Sequence, residues 1–217
     1  QNIFSILIKA DKTDAGNFRE IFQDSICKVE EFCKYYSKVL DLYLSNLNSI
    51  SPINVLRTRI RKKAIDNIKQ GLKNNRRVFE LTAPTGSGKT LMLLSLASEI
   101  EKLKGSKRII YGLPFLSITE QVETEVLKIF KGYENFICRI DSKSSNSEYS
   151  KLQESMDSNP TIENFRELNR LEYLENTFSY PFIITTFVRI FETMLSNNNK
   201  ELLKLNNFSH CIFLLDE

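Results

Sequence analysis

The spacing of apolar residues gives the chain two textures. Over residues 17–50 they recur at helical intervals: Phe18, Ile21, Phe22, Ile26, Val29, Phe32, Cys33, Tyr36, Leu40, Tyr43, Leu44 and Leu47 make one broad stripe. The pattern predicts one or two helices with that stripe buried. It breaks at SISPIN, where Ser51 precedes a proline and is biased away from helix, so a boundary is expected near 49–54. Residues 55–74 resume as an amphipathic helix with a basic face. After that, short apolar runs alternate with helical ones. Strands are predicted at RVFELTAP (77–84), RIIYGLP (108–114), FICRID (136–141), PFIITTF (181–187) and CIFLLDE (211–217). Helices are predicted at TLMLLSLASEIEKLKG, SITEQVETEVLKIFKG, ENFRELNRLEYLEN and VRIFETMLSN. Such alternation implies an α/β fold, with parallel strands covered by helices on both faces and a helical segment in front. Residues 142–180 read as an insertion that opens on an exposed loop, SKSSNSEYS.

Composition adds limits. A chain of 217 residues, 41% hydrophobic and 26% charged, can bury one large core, with or without an appendage. Thirty basic against 27 acidic residues leave a net charge of +3, too mild to predict nucleic-acid binding unless it is locally concentrated. Cys27, Cys33, Cys138 and Cys211 lack CxxC spacing and His210 is the only histidine, which argues against zinc and for reduced thiols in a cytoplasmic protein. No run approaches the ~20 apolar residues that span a bilayer, so no membrane association is expected. The first residues carry neither a basic leader nor an initiator Met, and the chain is expected to be cut at both ends.

The sharpest chemical signal is APTGSGKT: Ala83, Pro84, Thr85, Gly86, Ser87, Gly88, Lys89 and Thr90. It follows a predicted strand and opens a predicted helix, the context a phosphate-binding loop demands, although Ala83 stands where the pattern asks for Gly. Two glycines let backbone N–H groups curl towards a phosphate, and the helix start adds its positive dipole end. Lys89 brings a charge to the β- and γ-phosphates, and the Thr90 hydroxyl is suited to Mg²⁺. A Mg²⁺–nucleotide site also needs a carboxylate at a neighbouring strand end, which Asp216 supplies, while Glu217 is suited to orient and deprotonate water. Pro114, Phe115, Ser117 and Gln121 lie just past one strand, and Thr185 and Thr186 at the tip of another. Hydroxyls, amides and helix starts there suit a phosphodiester backbone, with helix capping as the other reading. In an open α/β sheet all these strand ends share one edge.

That ordered set resembles the first RecA-like lobe of a superfamily 2 helicase. APTGSGKT is similar to its motif I, LPFLSITEQ to motif Ia, IITTF to the next DNA-contacting motif, and LLDE to the start of motif II. SPINVLR, the wording of LPFLSITEQ and TTFVRIFETML, and ILIKADKTDAGN narrow the resemblance to the CRISPR-associated helicase-nuclease of type I systems. It implies three segments: the tail of a histidine-aspartate nuclease domain (1–16), a helical linker (17–54), and a first helicase lobe (55–217) that ends after the Asp-Glu of motif II. It implies ATP and Mg²⁺ as cofactors, single-stranded DNA as the track, a guide-RNA surveillance complex as partner, and a divalent transition metal at the nuclease site of the full-length protein, with Asp11 as the matching acid. Arg57 or Arg61 would lie near the adenine. The nuclease histidines have no match, so this chain alone is not expected to cut DNA, and without a second lobe it is expected to hydrolyse ATP very slowly.

Two other readings stay open. The lobe could serve an RNA helicase or a restriction translocase. The chain could also be a non-catalytic docking module whose contact face is Arg59, Arg61, Lys62, Lys63 and Lys69, a charge run that is otherwise a solvated surface.

Overall fold

Four apolar runs rich in Ile, Phe and Leu form one parallel sheet. The computed structural model describes residues 2–15, 18–47, 51–84, 86–105, 107–141, 152–153, 161–196 and 198–217. Its strands are β1 (Arg108–Leu113), β2 (Ile137–Ile140), β3 (Phe182–Thr186) and β4 (Cys211–Leu215), in the order β2-β3-β1-β4. The register sets Ile110 between Ile183 and Phe213, and Tyr111 between Ile184 and Leu214. Because side chains alternate across a sheet, Ile109, Tyr111, Leu113, Phe182, Ile184, Ile212 and Leu214 fill one core, and Ile110, Ile183, Cys138 and Ile140 the other.

Helices cover both faces: α1 (Asn2–Ala15), α2 (Arg19–Ser45), α3 (Pro52–Lys73), α4 (Lys89–Lys104), α5 (Leu116–Ile129), α6 (Ile162–Asn176), α7 (Phe187–Leu195) and α8 (Asn199–Phe208). Helices α2, α4 and α5 pack on the Tyr111 face; α6, α7 and α8 pack on the other. This is the fold of a RecA-like lobe.

Four points correct or extend these expectations. First, residues 77–84 are not a strand. They keep a strand's alternation, with Leu81 packed against Ile68, Leu72 and Leu96 while Val78 is 90% exposed. Among the described residues they pair with no strand, because packing on α3 and α4 holds them: Arg76 N–H bonds the Gly71 carbonyl at 3.0 Å, and the Phe79 ring fills the space a Cβ on Gly71 would need. Among the described residues strand β4 is consequently a sheet edge, paired only with β1.

Second, residues 19–45, within the expected helical linker, bury the predicted stripe in the core of the sheet. Phe32, Tyr36 and Leu40 are each 1% exposed. Phe32 lies against Phe130, Phe136 and Phe182, and the Tyr36 ring stacks on Phe130 at 4.9 Å. One helix spans the stripe. The next, α3, starts at Pro52, where a proline's missing N–H costs nothing. The first expected junction, at residues 16–17, lies outside the described residues, as do residues 48–50; the second, between 54 and 55, falls inside α3.

Third, the part of the 142–180 insertion that is described belongs to the core. Thr161 caps α6 through Asn164 N–H at 3.1 Å, and Leu171, Tyr173 and Leu174 are buried. SKSSNSEYS lies outside the described residues.

Fourth, α8 has no counterpart among the predicted helices. Its run NKELLKLNNF is polar enough to hide it, yet Asn198 caps it at Lys200 N–H (3.0 Å) and Leu202 and Phe208 are buried.

Helix α1 docks along α8 through a polar stripe at helical spacing rather than an apolar one. Ser5 Oγ donates to the Leu202 carbonyl (2.6 Å), Lys9 Nζ to Asn207 Oδ1 (2.9 Å), and Thr13 shares a hydrogen bond with the Tyr173 hydroxyl (2.8 Å). Lys9 is only 4% exposed and also lies 4.3 Å from the Phe22 ring centroid. Burial, helped by the nearby Arg108 charge, lowers its pKa to about 7.

Two outcomes follow for stability. Phe32→Ala should cost about 3–5 kcal/mol in denaturant unfolding, as a large core aromatic does and a linker residue does not. Lys9 binds fewer protons folded than unfolded between its lowered pKa of about 7 and its ordinary 10.5, so its contribution makes stability rise with pH across that window. Unfolding midpoints of Lys9→Met measured over the same window should lose that slope.

Candidate nucleotide site

The carboxyl ends of the strands and the amino end of α4 meet at one edge of the sheet. Gly86 and Gly88 both have left-handed backbones (φ 76° and 82°), a region that side chains disfavour, and Gly88 leads directly into α4. Ser87 N–H bonds the Pro84 carbonyl at 3.2 Å, tightening the turn. The Ser87 hydroxyl is buried and has no hydrogen-bond partner among the described residues. Lys89 stands at the first turn of α4 and makes no ion pair among the described residues. Ala83 is half-buried and Pro84 exposed; Thr85 lies outside the described residues.

Arg57 reaches this loop from α3. Its Nε and Nη2 both donate to the Gly86 carbonyl, at 3.0 and 2.5 Å, and its Nη1 donates to Asn54 Oδ1 at 3.1 Å. Its observed partners are thus the loop backbone and α3 itself. Arg61, one turn further, is partly buried and lines a separate cavity of about 370 Å³ between α2, α3 and α4, with Asp41, Lys62 and Ser98. The structure therefore brings Arg57 to the loop and turns Arg61 towards that second cavity. The basic face of α3 is not continuous either, since Lys69 pairs with Glu99 at 3.1 Å.

Asp216 follows β4. Its N–H bonds the Gly112 carbonyl at 3.0 Å, extending the ladder by one residue, and its Oδ2 accepts the Tyr111 hydroxyl at 2.6 Å. Burial first, then the Asp216 hydrogen bond and charge, push the Tyr111 pKa far above the ordinary phenol value, while the nearby Thr90 hydroxyl opposes them. Glu217 is exposed beside Asp216. Two oxygens of the kind Mg²⁺ takes, the Thr90 hydroxyl at the start of α4 and the Asp216 carboxylate past β4, thus flank the Tyr111 phenol beside the glycine loop, a donor set that fits a hard cation. Tyr111 was not among the candidates read from sequence. The signal was there: in RIIYGL a tyrosine sits in the middle of a buried, mostly aliphatic strand, where a phenol must find a partner.

The neighbouring loops differ in what they expose. Phe115 (65% exposed), Ser117 and Gln121 face solvent, and α5 starts without a side-chain cap, leaving its first N–H groups open. Pro114 is half-buried. Thr185 and Thr186 do not reach that surface. Thr185 is fully buried and donates to the Ile140 carbonyl at 2.6 Å, tying β3 to β2; Thr186 is buried and caps α7 at Arg189 N–H, 3.5 Å away. Thr119, unremarked in the sequence, donates to buried Asp141 at 3.0 Å and fixes α5 over the end of β2. Asp11 is exposed on α1, and no group of three His, Cys, Asp or Glu that could hold a metal gathers among the described residues. No helix among them is long and apolar enough to cross a membrane.

Residues 57–217 match the family model described as "Type III restriction enzyme, res subunit". The chain belongs to that family. It is also homologous to the CRISPR-associated nuclease/helicase Cas3 of Haloferax volcanii, 28% identical over 200 residues. That match covers 83% of this chain and 21% of the relative, so the chain spans about a fifth of the length of the relative it matches.

The double hydrogen bond from Arg57 makes it a clamp on the loop. Arg57→Met should weaken ATP and GTP binding alike, by about fivefold, the worth of roughly 1 kcal/mol of hydrogen bonding. An arginine that reads adenine would instead change the ATP-to-GTP ratio. Competition titrations with both nucleotides separate the two.

Proposed function

We propose that this chain is the Mg²⁺·ATP-binding lobe of a DNA helicase or translocase acting in CRISPR antiviral defence, with an associated nuclease in the longer protein. The observation that carries the reading is the convergence at one sheet edge of a left-handed glycine loop, Lys89 and Thr90 at the start of α4, with no ion pair to Lys89 among the described residues, and the Asp216 carboxylate held by Tyr111. Homology to a nuclease/helicase supports the assignment of substrate and pathway.

Each residue has a distinct part. Backbone N–H groups around Gly86 and Gly88 bind phosphate oxygens, and the start of α4 favours their charge. Lys89 adds a full charge at the β- and γ-phosphates. Thr90 and Asp216 hold Mg²⁺. Glu217 orients the attacking water and takes its proton. When bound, Mg²⁺·ATP supplies the phosphoanhydride to be cleaved and the cation that neutralises its charge. Phe115, Ser117, Gln121 and the open start of α5 meet the backbone of single-stranded DNA. Thr185 and Thr186 support that surface from beneath rather than touch the strand. A guide-RNA surveillance complex would deliver the DNA.

Turnover by this chain alone should be slow. Arg57 is engaged with the loop carbonyl and with Asn54, so it is not free to stabilise charge on the transferring phosphoryl group. An arginine supplied from outside is worth roughly 10³- to 10⁵-fold in such reactions.

Calorimetry with Mg²⁺·ATP is the direct test. The wild-type chain should bind, Lys89→Ala should lose binding, and Glu217→Gln should retain it. Equal behaviour of wild type and Lys89→Ala would remove the nucleotide site and bring the docking-module reading forward.

A further inference from the structure

We propose that Tyr111 is a positioning residue that presets Asp216 as a ligand for the divalent cation of the nucleotide. The inference rests on reading this edge as a Mg²⁺·ATP site and adds a residue to it.

The argument starts from the direction of the protons. A carboxylate only accepts hydrogen bonds, and a phenol has a single proton to give. At 2.6 Å from Asp216 Oδ2, the Tyr111 hydroxyl donates to that oxygen. That bond turns Oδ2 towards the core and leaves Oδ1, with its lone pairs, for a cation.

The mounting is rigid. Tyr111 is fully buried, its ring packed in the core beneath α4. Asp216 is held by consecutive residues of β1: its side chain by Tyr111 and its backbone N–H by the Gly112 carbonyl, 3.0 Å away. A buried phenol could satisfy itself on any carbonyl, as Tyr36 does on Leu94 at 3.0 Å on the same face of the sheet. Tyr111 instead bonds the side chain of Asp216, the carboxylate the site needs.

The test compares Tyr111→Phe with Tyr36→Phe, which removes another buried phenolic hydroxyl away from the site. A fluorescent ATP analogue is titrated against this chain with EDTA, and again across a series of Mg²⁺ concentrations. Tyr111→Phe should raise the half-saturating Mg²⁺ concentration about tenfold, the worth of one hydrogen bond to a charged group, and leave the affinity in EDTA unchanged. Tyr36→Phe should move neither. An unchanged Mg²⁺ midpoint in Tyr111→Phe overturns the inference while the nucleotide site stands. Equal losses with and without Mg²⁺ also overturn it, since they mark a purely structural group. So does a Tyr111→Phe protein that melts below the assay temperature when Tyr36→Phe does not. No binding by the wild-type chain, or undiminished binding by Lys89→Ala, overturns the nucleotide reading itself.

Discussion

A parallel sheet has two apolar faces, and neither can be left in water. That constraint organises this chain. Strands β1 and β3 are buried along their whole length, so six helices are drawn over them, three to a face. The stretch ahead of the glycine loop is recruited for the same reason. Helix α2 supplies Phe32, Tyr36 and Leu40 to a layer that α4 and α5 alone do not close. The aromatic stacking of Phe32 and Tyr36 on Phe130, Phe136 and Phe182 joins residues about a hundred or more apart in sequence, so the front of the chain and the sheet form one core.

The same constraint puts the chemistry at an edge. With both faces covered, the sheet offers its strand ends to solvent. Parallel strands bring their carboxyl ends to one side, so LPFLSITEQ, IITTF and LLDE, far apart in the chain, arrive together, and α4 packed on the sheet brings APTGSGKT to the same edge. Register then fixes the fine geometry. Tyr111 lies opposite Leu214 in the ladder, which leaves Asp216, two residues on and on the same face, within reach of its hydroxyl.

Much of this was legible in the sequence because it depends on local pattern. Four of the five predicted strands are present, and the glycine loop opens a helix at the predicted residue. What was not legible depends on partners distant in sequence. RVFELTAP has strand composition, but a strand exists only beside another strand, and α3 and α4 hold this segment away from a ladder. The stripe of α2 could be read as amphipathic, but its target could not, because periodicity reports a buried face without saying against what. Thr185 and Ser117 look alike in sequence, two hydroxyls just past strand ends. One is sealed against Ile140 and the other is open to solvent, a difference set by packing across β2 and β3.

The two ends of the sheet are treated in opposite ways, and that contrast separates site from scaffold. At the amino end, polar groups satisfy one another. Arg108 donates to the Tyr180 carbonyl at 2.8 Å and the Ser179 carbonyl at 3.3 Å. Asn207 donates to the Thr177 carbonyl at 2.6 Å, accepts from Lys9, and offers its own carbonyl to Cys211 at 2.7 Å. Burial raises the Cys211 thiol to about 11, which keeps it protonated and inert. A polar network so fully paired specifies packing and leaves nothing for a ligand. At the carboxyl end the balance is reversed: the Ser87 hydroxyl lacks a partner, Lys89 lacks an ion pair among the described residues, and α5 begins uncapped. A fold that can pair its buried polar groups at one end and leaves them open at the other has reserved that second end for something it must bind, and the unmet groups there, donors with one cation among them, call for an anion.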